Sequence, residues 1–251
     1  MSEETRMKDE LRGQVAIITG GGRGFGRAIA EGFAAAGAAV AVTARTQTEL
    51  DEVAAAIKAA GGLAIATAGD VTSQGDAERV VKETESRLGP VSILVHNAGV
   101  PWPFGPLWYV DPARWWEAQA VHVGGAVNYI HAAVPGMVER RNGRVIIVAS
   151  GAGTRAIPNL SGYSVAKHTQ MRLAETLALE GKEHGLFAFA ISPGDVITDL
   201  SYLTVNDPDA QRYIPWFVDR LRTRMAANED GTPGLLRCAE LCVKLASGAC
   251  D

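Results

Sequence analysis

Cysteine is scarce: the 251-residue chain carries three, Cys238, Cys242 and Cys250, all near its C-terminal end. Three thiols close neither a disulfide framework nor a four-ligand zinc site, so they read as core or surface thiols of a reducing compartment. The five histidines include no His-x-x-x-His spacing, and metal catalysis finds no support. Neither sign of charge dominates, with 24 Lys+Arg against 28 Asp+Glu and a formal net charge of −4. A nucleic-acid partner or an anionic membrane would call for a basic surplus that is missing. No uninterrupted apolar run approaches the roughly 20 residues of a membrane helix. The opening MSEETRMKDELRGQ is polar where a signal peptide would be apolar. Asn159-Leu160-Ser161 spells a glycosylation acceptor, but without a leader it is set aside. A cytoplasmic protein acting on a small molecule, with no nucleic acid and no membrane, is the expectation. The whole chain is 47% apolar and 21% charged, ordinary for a globular protein, and the length suits one large α/β domain or two small ones.

Short apolar runs occur at QVAIIT (14–19), AVAVTA (39–44), LAIATA (63–68), SILVHN (92–97), RVIIVAS (144–150) and LFAFAIS (186–192). They are continuously apolar rather than alternating, as strands covered on both faces should be. Helix-length stretches separate them at 24–36, 46–60, 73–88, about 112–140 and 161–184. This βαβ alternation predicts a single doubly wound parallel sheet of Rossmann type with helices on both faces. No composition break or repeat divides the chain, so one domain over 1–251 is expected. Residues 199–235 depart from the alternation, with an Asn-Asp-Pro turn signal, several aromatics and a Gly231-Thr232-Pro233-Gly234 stop. They predict a helical insertion after strand six.

The first strand runs into Thr19-Gly20-Gly21-Gly22-Arg23-Gly24-Phe25-Gly26, and a helix follows. A glycine-rich strand-to-helix turn lets backbone approach a pyrophosphate at the positive helix end. The G-x-G-x-x-G spacing is absent; the glycines fit T-G-x-x-x-G-x-G, with Gly20, Gly24 and Gly26 in the key places. Gly22, Arg23 and Phe25 complete the candidate turn. A merely tight connection would also use glycine, but the position between strand and helix favours a nucleotide. The second strand ends Thr43-Ala44-Arg45-Thr46, with no carboxylate at its tip for the adenosine ribose. Arg45 offers a guanidinium fork to a 2′-phosphate instead, and Arg23 adds a second positive charge. NADP(H) is therefore expected over NAD(H), unless Arg45 is simply a solvated loop arginine.

Tyr163-Ser164-Val165-Ala166-Lys167 opens the helix after strand five, and its four-residue spacing puts Tyr163 and Lys167 on one face. A phenol has a reference pKa of about 10, and a neighbouring lysine cation would pull it down into use as an acid/base group. Ser150, thirteen residues earlier, could donate a hydrogen bond to a substrate carbonyl. Y-x-x-x-K alone means little; joined to Ser150 and the glycine turn it becomes specific.

With these residues the chain resembles the short-chain dehydrogenase/reductase family, from about residue 12 to about 200. The resemblance implies that Asp70-Val71 contacts the adenine and that Asn97-Ala98-Gly99 is the segment ending strand four. It further implies that Pro193-Gly194-Asp195-Val196-Ile197-Thr198 holds the nicotinamide carboxamide through its backbone and Thr198. Ser150, Tyr163 and Lys167 match the family's catalytic trio. Tyr163 would then exchange a proton with the alkoxide, while Lys167 lowers the phenol pKa and binds the nicotinamide ribose. Arg45, at the family's specificity position, points again to NADP(H) and to reduction. A homo-oligomer, dimer or tetramer, formed through the helices at 112–140 and 161–184, is implied as well.

Departures accompany the match. Where the family usually carries an asparagine that holds a water linking the lysine to solvent, this chain reads Val121-His122-Val123-Gly124-Gly125. His122 could hold that water, carry the proton itself, or merely fill space, and His122→Asn is expected to keep substantial activity. His96 replaces the first asparagine of Asn-Asn-Ala-Gly and reads as structural. The seventh strand usual in the family has no counterpart before Asp251. Aromatics crowd residues 101–109, Trp115-Trp116 and the insertion (Tyr202, Tyr213, Trp216, Phe217), which suggests a bulky apolar or ring-bearing ketone or secondary alcohol. Residues 198–233 could act as a lid. A 3-oxoacyl-thioester reductase, an NAD-dependent alcohol dehydrogenase and a non-catalytic nucleotide-sensing protein stay open as alternatives.

Overall fold

The computed structural model describes residues 9–249; the polar opening up to residue 8 and Cys250 lie outside the described residues. Six strands, β1 (Val15–Thr19), β2 (Ala39–Thr43), β3 (Leu63–Ala66), β4 (Ile93–His96), β5 (Gly143–Val148) and β6 (Leu186–Ile191), form one sheet in the order β3-β2-β1-β4-β5-β6. Every pairing is parallel, with Ile17 opposite Ala41 on one side and Leu94 on the other. The order reverses between β1 and β4, the switch point at which ligands bind outside the carboxyl ends of such sheets.

Apolar side chains on both strand faces explain the two cores. Successive residues point to opposite faces, so Ile18, Val40, Val42, Val95 and Ile146 enter one core while Ile17, Ala41, Leu94, Val145 and Ile147 enter the other. The first is covered by α1 (Gly24–Ala35), α2 (Gln47–Ala59) and α10 (Thr232–Ser247), through residues such as Phe33, Leu50 and Cys242. The second is covered by α3 (Gln74–Leu88), α5 (Gly125–Glu139) and α6 (Ser161–Gly181), through Val80, Tyr129 and Leu177. Short polar caps start several helices: Ser73 accepts from the Asp76 N–H ahead of α3, and Asp111 accepts from the Ala113 N–H ahead of α4 (Pro112–Gln119).

Two stretches differ in detail from the sequence expectation. The helix over 112–140 widens into a π turn at Ala120–Gly124 between α4 and α5. Gly231–Gly234, read as a stop, instead opens α10, because Pro233 in a first helical turn sacrifices no intrahelical N–H bond. The insertion itself is helical, as α7 (Asp199–Asn206), α8 (Pro208–Tyr213) and α9 (Pro215–Ala226). It has its own small core of Val205, Ala210, Ile214, Val218 and Leu221, which Phe104 joins from the loop after β4. Cys238 and Cys242 are buried and free. No helix among the described residues is long and apolar enough to cross a membrane.

Candidate active site

The carboxyl ends of the strands open on a cleft of about 890 Å3 that runs from the glycine turn to the insertion. Its floor is built at the β1–β4 seam. Gly20 and Gly24 adopt φ of +63° and +53°, where a side chain would be strained, and a Cβ on Gly26 would lie 2.1 Å from the Gly20 carbonyl oxygen. The start of α1 therefore sits directly against the turn. Asn97 Nδ2 donates to the Thr19 and Gly20 carbonyls, both at 3.1 Å, while Thr19 Oγ1 accepts from the N–H groups of Asn97 (3.0 Å) and Ala98 (3.1 Å). Helix α1 begins without a side-chain cap, so its first N–H groups and positive end serve the cleft. This cradle fits the pyrophosphate of a dinucleotide. Gly20, Gly22, Arg23, Gly24, Phe25 and Arg45 line this end of the cleft, with Gly26 packed behind.

Arg45 is exposed and has no partner among the described residues. Arg23 is engaged, its Nη1 3.5 Å from Glu49 Oε1 and its Nε 3.9 Å from Asp199 Oδ2. The sequence missed Glu49, which lies four residues beyond the strand tip where an acid was sought. The first turn of α2 brings its carboxylate back against the glycine turn, 3.1 Å from where a Cβ of Gly22 would stand. Asp70 turns its carboxylate to the Thr72 N–H and hydroxyl at 2.9 and 2.8 Å, and the carbonyl of buried Val71 is held by Asn128.

The sheet brings Ser150, Tyr163 and Lys167 together at the other end. Ser150 follows β5 in extended geometry, its Oγ accepting from the Ala152 N–H at 3.2 Å and close enough to the Tyr163 hydroxyl to act on its titration. Lys167 Nζ lies 5.5 Å from the centre of the Tyr163 ring and donates to the Val148 carbonyl (2.7 Å) and to Gln170 Oε1 (3.0 Å). Burial pushes the Tyr163 phenol up, with the Ser150 bond pulling only part of the way back. Burial also pushes Lys167 down, to about 7. Desolvation thus dominates the phenol, and the hydrogen bonds of Lys167 go to Val148 and Gln170.

His122 sits in the π turn, fully buried, with its ring edge-to-face on Tyr163 (centroids 5.5 Å apart, 82° between planes). Its Nε2 lies 2.9 Å from the Val100 carbonyl and 3.2 Å from the Val100 N–H, and its Nδ1 has no partner. Donation from Nε2 to the shorter contact leaves Nδ1 a bare acceptor. Burial first, then the nearby Lys167, hold His122 well below the ordinary imidazole pKa. His96 is likewise neutral, pushed to about 3 mainly by burial. Its Nε2 must donate to the His122 carbonyl at 3.1 Å, and its Nδ1 accepts from Thr19 Oγ1 at 3.3 Å.

Beyond β6, Pro193, Gly194, Val196 and Thr198 line the cleft, as do Asn97, Ala98 and Gly99 opposite. Thr198 precedes α7, its carbonyl accepting from the Ser201 N–H at 2.8 Å and its own N–H donating to Ser201 Oγ at 3.3 Å. Asp195 is gripped by Arg220 and Arg224 of α9, and Arg224 also binds Glu229 at 2.6 Å. Of the aromatics singled out in the sequence, Trp102, Phe104, Trp216 and Phe217 line the cleft. Trp216 is itself exposed at the cleft rim; Trp108, Tyr109, Trp116 and Tyr202 are exposed away from the cleft, and Tyr213 packs on Gly105. Gln170, which connects the lysine to the π turn, carried no motif and was not anticipated.

Residues 14–208 match the short chain dehydrogenase family, and the chain belongs to that family. Among its relatives, a short chain dehydrogenase of Pseudocercospora fijiensis is 39% identical over 199 residues, covering 78% of this chain; the match spans 63% of that relative's length. Among solved structures, a gluconate 5-dehydrogenase from Burkholderia cenocepacia in complex with NADP and tartrate superposes with a TM-score of 0.82 at 28% identity, over 98% of this chain and 92% of that one. An NAD+-bound xylitol dehydrogenase gives 0.71 at 29%, over 73% and 71%.

Proposed function

We propose that the chain is an NADP(H)-dependent oxidoreductase transferring hydride between the nicotinamide and a carbonyl or secondary alcohol, chiefly reducing a bulky apolar or ring-bearing ketone. The observation that carries this reading is the convergence of Ser150, Tyr163 and Lys167, its Nζ 5.5 Å from the Tyr163 ring, on the cleft whose far end is the glycine cradle. Gly20, Gly22, Arg23, Gly24, Phe25 and Gly26 would take the pyrophosphate, and Asp70 with Val71 the adenine. Asn97, Ala98, Gly99, Tyr163 and Lys167 would take the nicotinamide riboside, and Pro193, Gly194, Val196 and Thr198 its carboxamide. The cofactor, when bound, supplies or takes the hydride.

Ser150 donates to the substrate oxygen and fixes it beside Tyr163. The Tyr163 O–H gives its proton to the forming alkoxide in reduction and recovers it in oxidation. Burial, which keeps the phenol protonated, suits the acid half of that cycle. Lys167 places positive charge beneath the tyrosine. His122 we assign a positioning role: neutral and bonded to the Val100 backbone, it buttresses the Tyr163 ring rather than carrying a proton. Trp102, Phe104, Trp216 and Phe217 supply an apolar wall that water is expelled from on substrate binding.

Arg45 supports NADP(H); similar structures hold NADP in one case and NAD+ in another, and NAD(H) stays the alternative. We also read the chain as one domain, with about 199–235 as its substrate-lid insertion, acting in the cytoplasm as a dimer or tetramer.

A paired titration with NADPH and NADH, followed by energy transfer from tryptophan, tests the cofactor. Tight NADPH and weak NADH binding is expected, and equal affinities would remove Arg45 from the site. A ketone panel with bulky aromatic members tests the substrate class. Tyr163→Phe should abolish turnover while keeping nucleotide binding, and binding with no turnover in the unaltered protein would favour a nucleotide sensor.

A further inference from the structure

A chain of buried polar groups runs beneath the site. Thr19 Oγ1 donates to His96, His96 Nε2 donates to the His122 carbonyl, and that carbonyl also accepts from Gln170 Nε2 at 2.7 Å. Gln170 Oε1 then accepts from Lys167 Nζ at 3.0 Å, and Lys167 makes its second bond to the Val148 carbonyl. Gln170 is wholly buried, one turn beyond Lys167 on α6. Its amide orientation is fixed by the His122 carbonyl, which can only accept. The π turn matters here: its widened backbone presents the His122 carbonyl to two side chains at once.

We propose that Gln170 is a positioning residue that pins the Lys167 ammonium from behind and closes that side of the site to proton exchange. Of the ammonium's three protons, two are committed inside the protein, to Val148 and to Gln170, and one is left for the cleft. A carboxamide bridging lysine and carbonyl holds both ends rigidly, but at neutral pH it has no proton to pass on. The histidines at the far end are no outlet either, since both stay neutral. The proton that Tyr163 gives up is therefore replaced through the cleft, not through the protein interior. The titratable groups facing Lys167 are Tyr163 on its own helix, His96 at the end of β4 and His122 in the π turn. No carboxylate bonds to it among the described residues.

This rests on the reading of Lys167 as part of the site, and the test separates the two. The chain has only six lysines, so Lys167 can be followed directly by NMR of the full chain labelled at the lysine ε-carbon, with Lys167→Met identifying its signal. Gln170→Met keeps the side-chain volume but removes the acceptor, and the lysine should then titrate about half a unit or more lower than in the unaltered protein. Gln170→Ala admits a water in place of the amide and should shift less; it carries the test if the Met variant does not fold. NADPH, used as the probe ligand, should bind both variants several-fold more weakly.

An unshifted lysine titration and unchanged NADPH affinity in both Gln170 variants would overturn the proposal, even if their melting temperatures fell. If Lys167→Met itself binds NADPH as tightly as the unaltered chain, the assignment of the lysine to the cofactor site fails instead.

Discussion

At the scale of single residues, the proposed NADP(H) preference turns on one arginine. Arg45 is free while Arg23 is held by Glu49 and Asp199. A charge-assisted bond from Arg45 to a 2′-phosphate is worth roughly 1.5–3 kcal/mol. Arg45→Ala should therefore weaken NADPH binding by about 10- to 100-fold and leave NADH binding nearly unchanged, as isothermal titration would read. The buried titratable groups set a second expectation. His96 titrates near 3 in the fold against 6.5 when free, so below pH 6.5 the unfolded chain takes up a proton that the folded chain refuses. Stability must fall as pH drops from 6.5 towards 3, by about 2 kcal/mol at pH 5 from His96 alone, and His122 acts in the same direction. Lys167, near 7 instead of 10.5, makes stability rise with pH between those two values. Urea melts at pH 5, 7 and 9 should show increasing stability; a maximum at pH 5 would contradict the neutral burial of these groups.

At the scale of elements, the insertion is tied to the Pro-Gly loop by ion pairs rather than by a large core. Asp195 binds Arg220 and Arg224, and Arg224 binds Glu229. Asp195 and Arg220 are about half exposed, so that pair contributes only about 0.2–1 kcal/mol. Asp195→Asn should expose α9 to trypsin a few-fold faster, and 0.5 M salt should reproduce much of that effect in the unaltered chain. Resistance unaffected by either change would mean that the apolar contacts of Val205, Ile214 and Leu221 hold the insertion alone.

The same elements show what could be foreseen. Every strand was legible, because parallel strands buried on both faces are short unbroken apolar runs. So were the glycine turn and the Ser150–Tyr163–Lys167 set, whose types and spacing are unusual enough to stand out. Glu49 and Gln170 were not. Each is an ordinary polar residue on an amphipathic helix, and only the packing of that helix decides that it faces the cleft or the interior. The π turn was hidden for a related reason: widening a helix by one residue leaves its composition unchanged. Gly231–Gly234 misled because proline and glycine mark both ends of helices.

At the scale of the whole molecule, large apolar side chains remain on the surface, among them Trp116 of α4 (67% exposed) and Leu179 of α6 (77%). Both lie on the two helices through which self-association is proposed, and large apolar side chains there are what an interface would cover. Light scattering is expected to return the mass of a dimer or tetramer, and the Trp116→Glu/Leu179→Glu double variant should return 26.5 kDa, the mass of one chain. A single-chain mass for the unaltered protein would place those residues outside any self-association.

Asn97 gives the nucleotide cradle a further meaning. Its amide ties the Gly20 turn to the end of β4, so a ligand seated on that turn rests on the central strands of the sheet and not on a loose loop. Occupancy and unfolding are then one equilibrium. At a hundred times its dissociation constant a ligand adds about 2.7 kcal/mol, which for a chain of this size raises the melting temperature by roughly 5–10 °C. A simple thermal-shift screen of nucleotides would let the sheet itself report which cofactor it was shaped for.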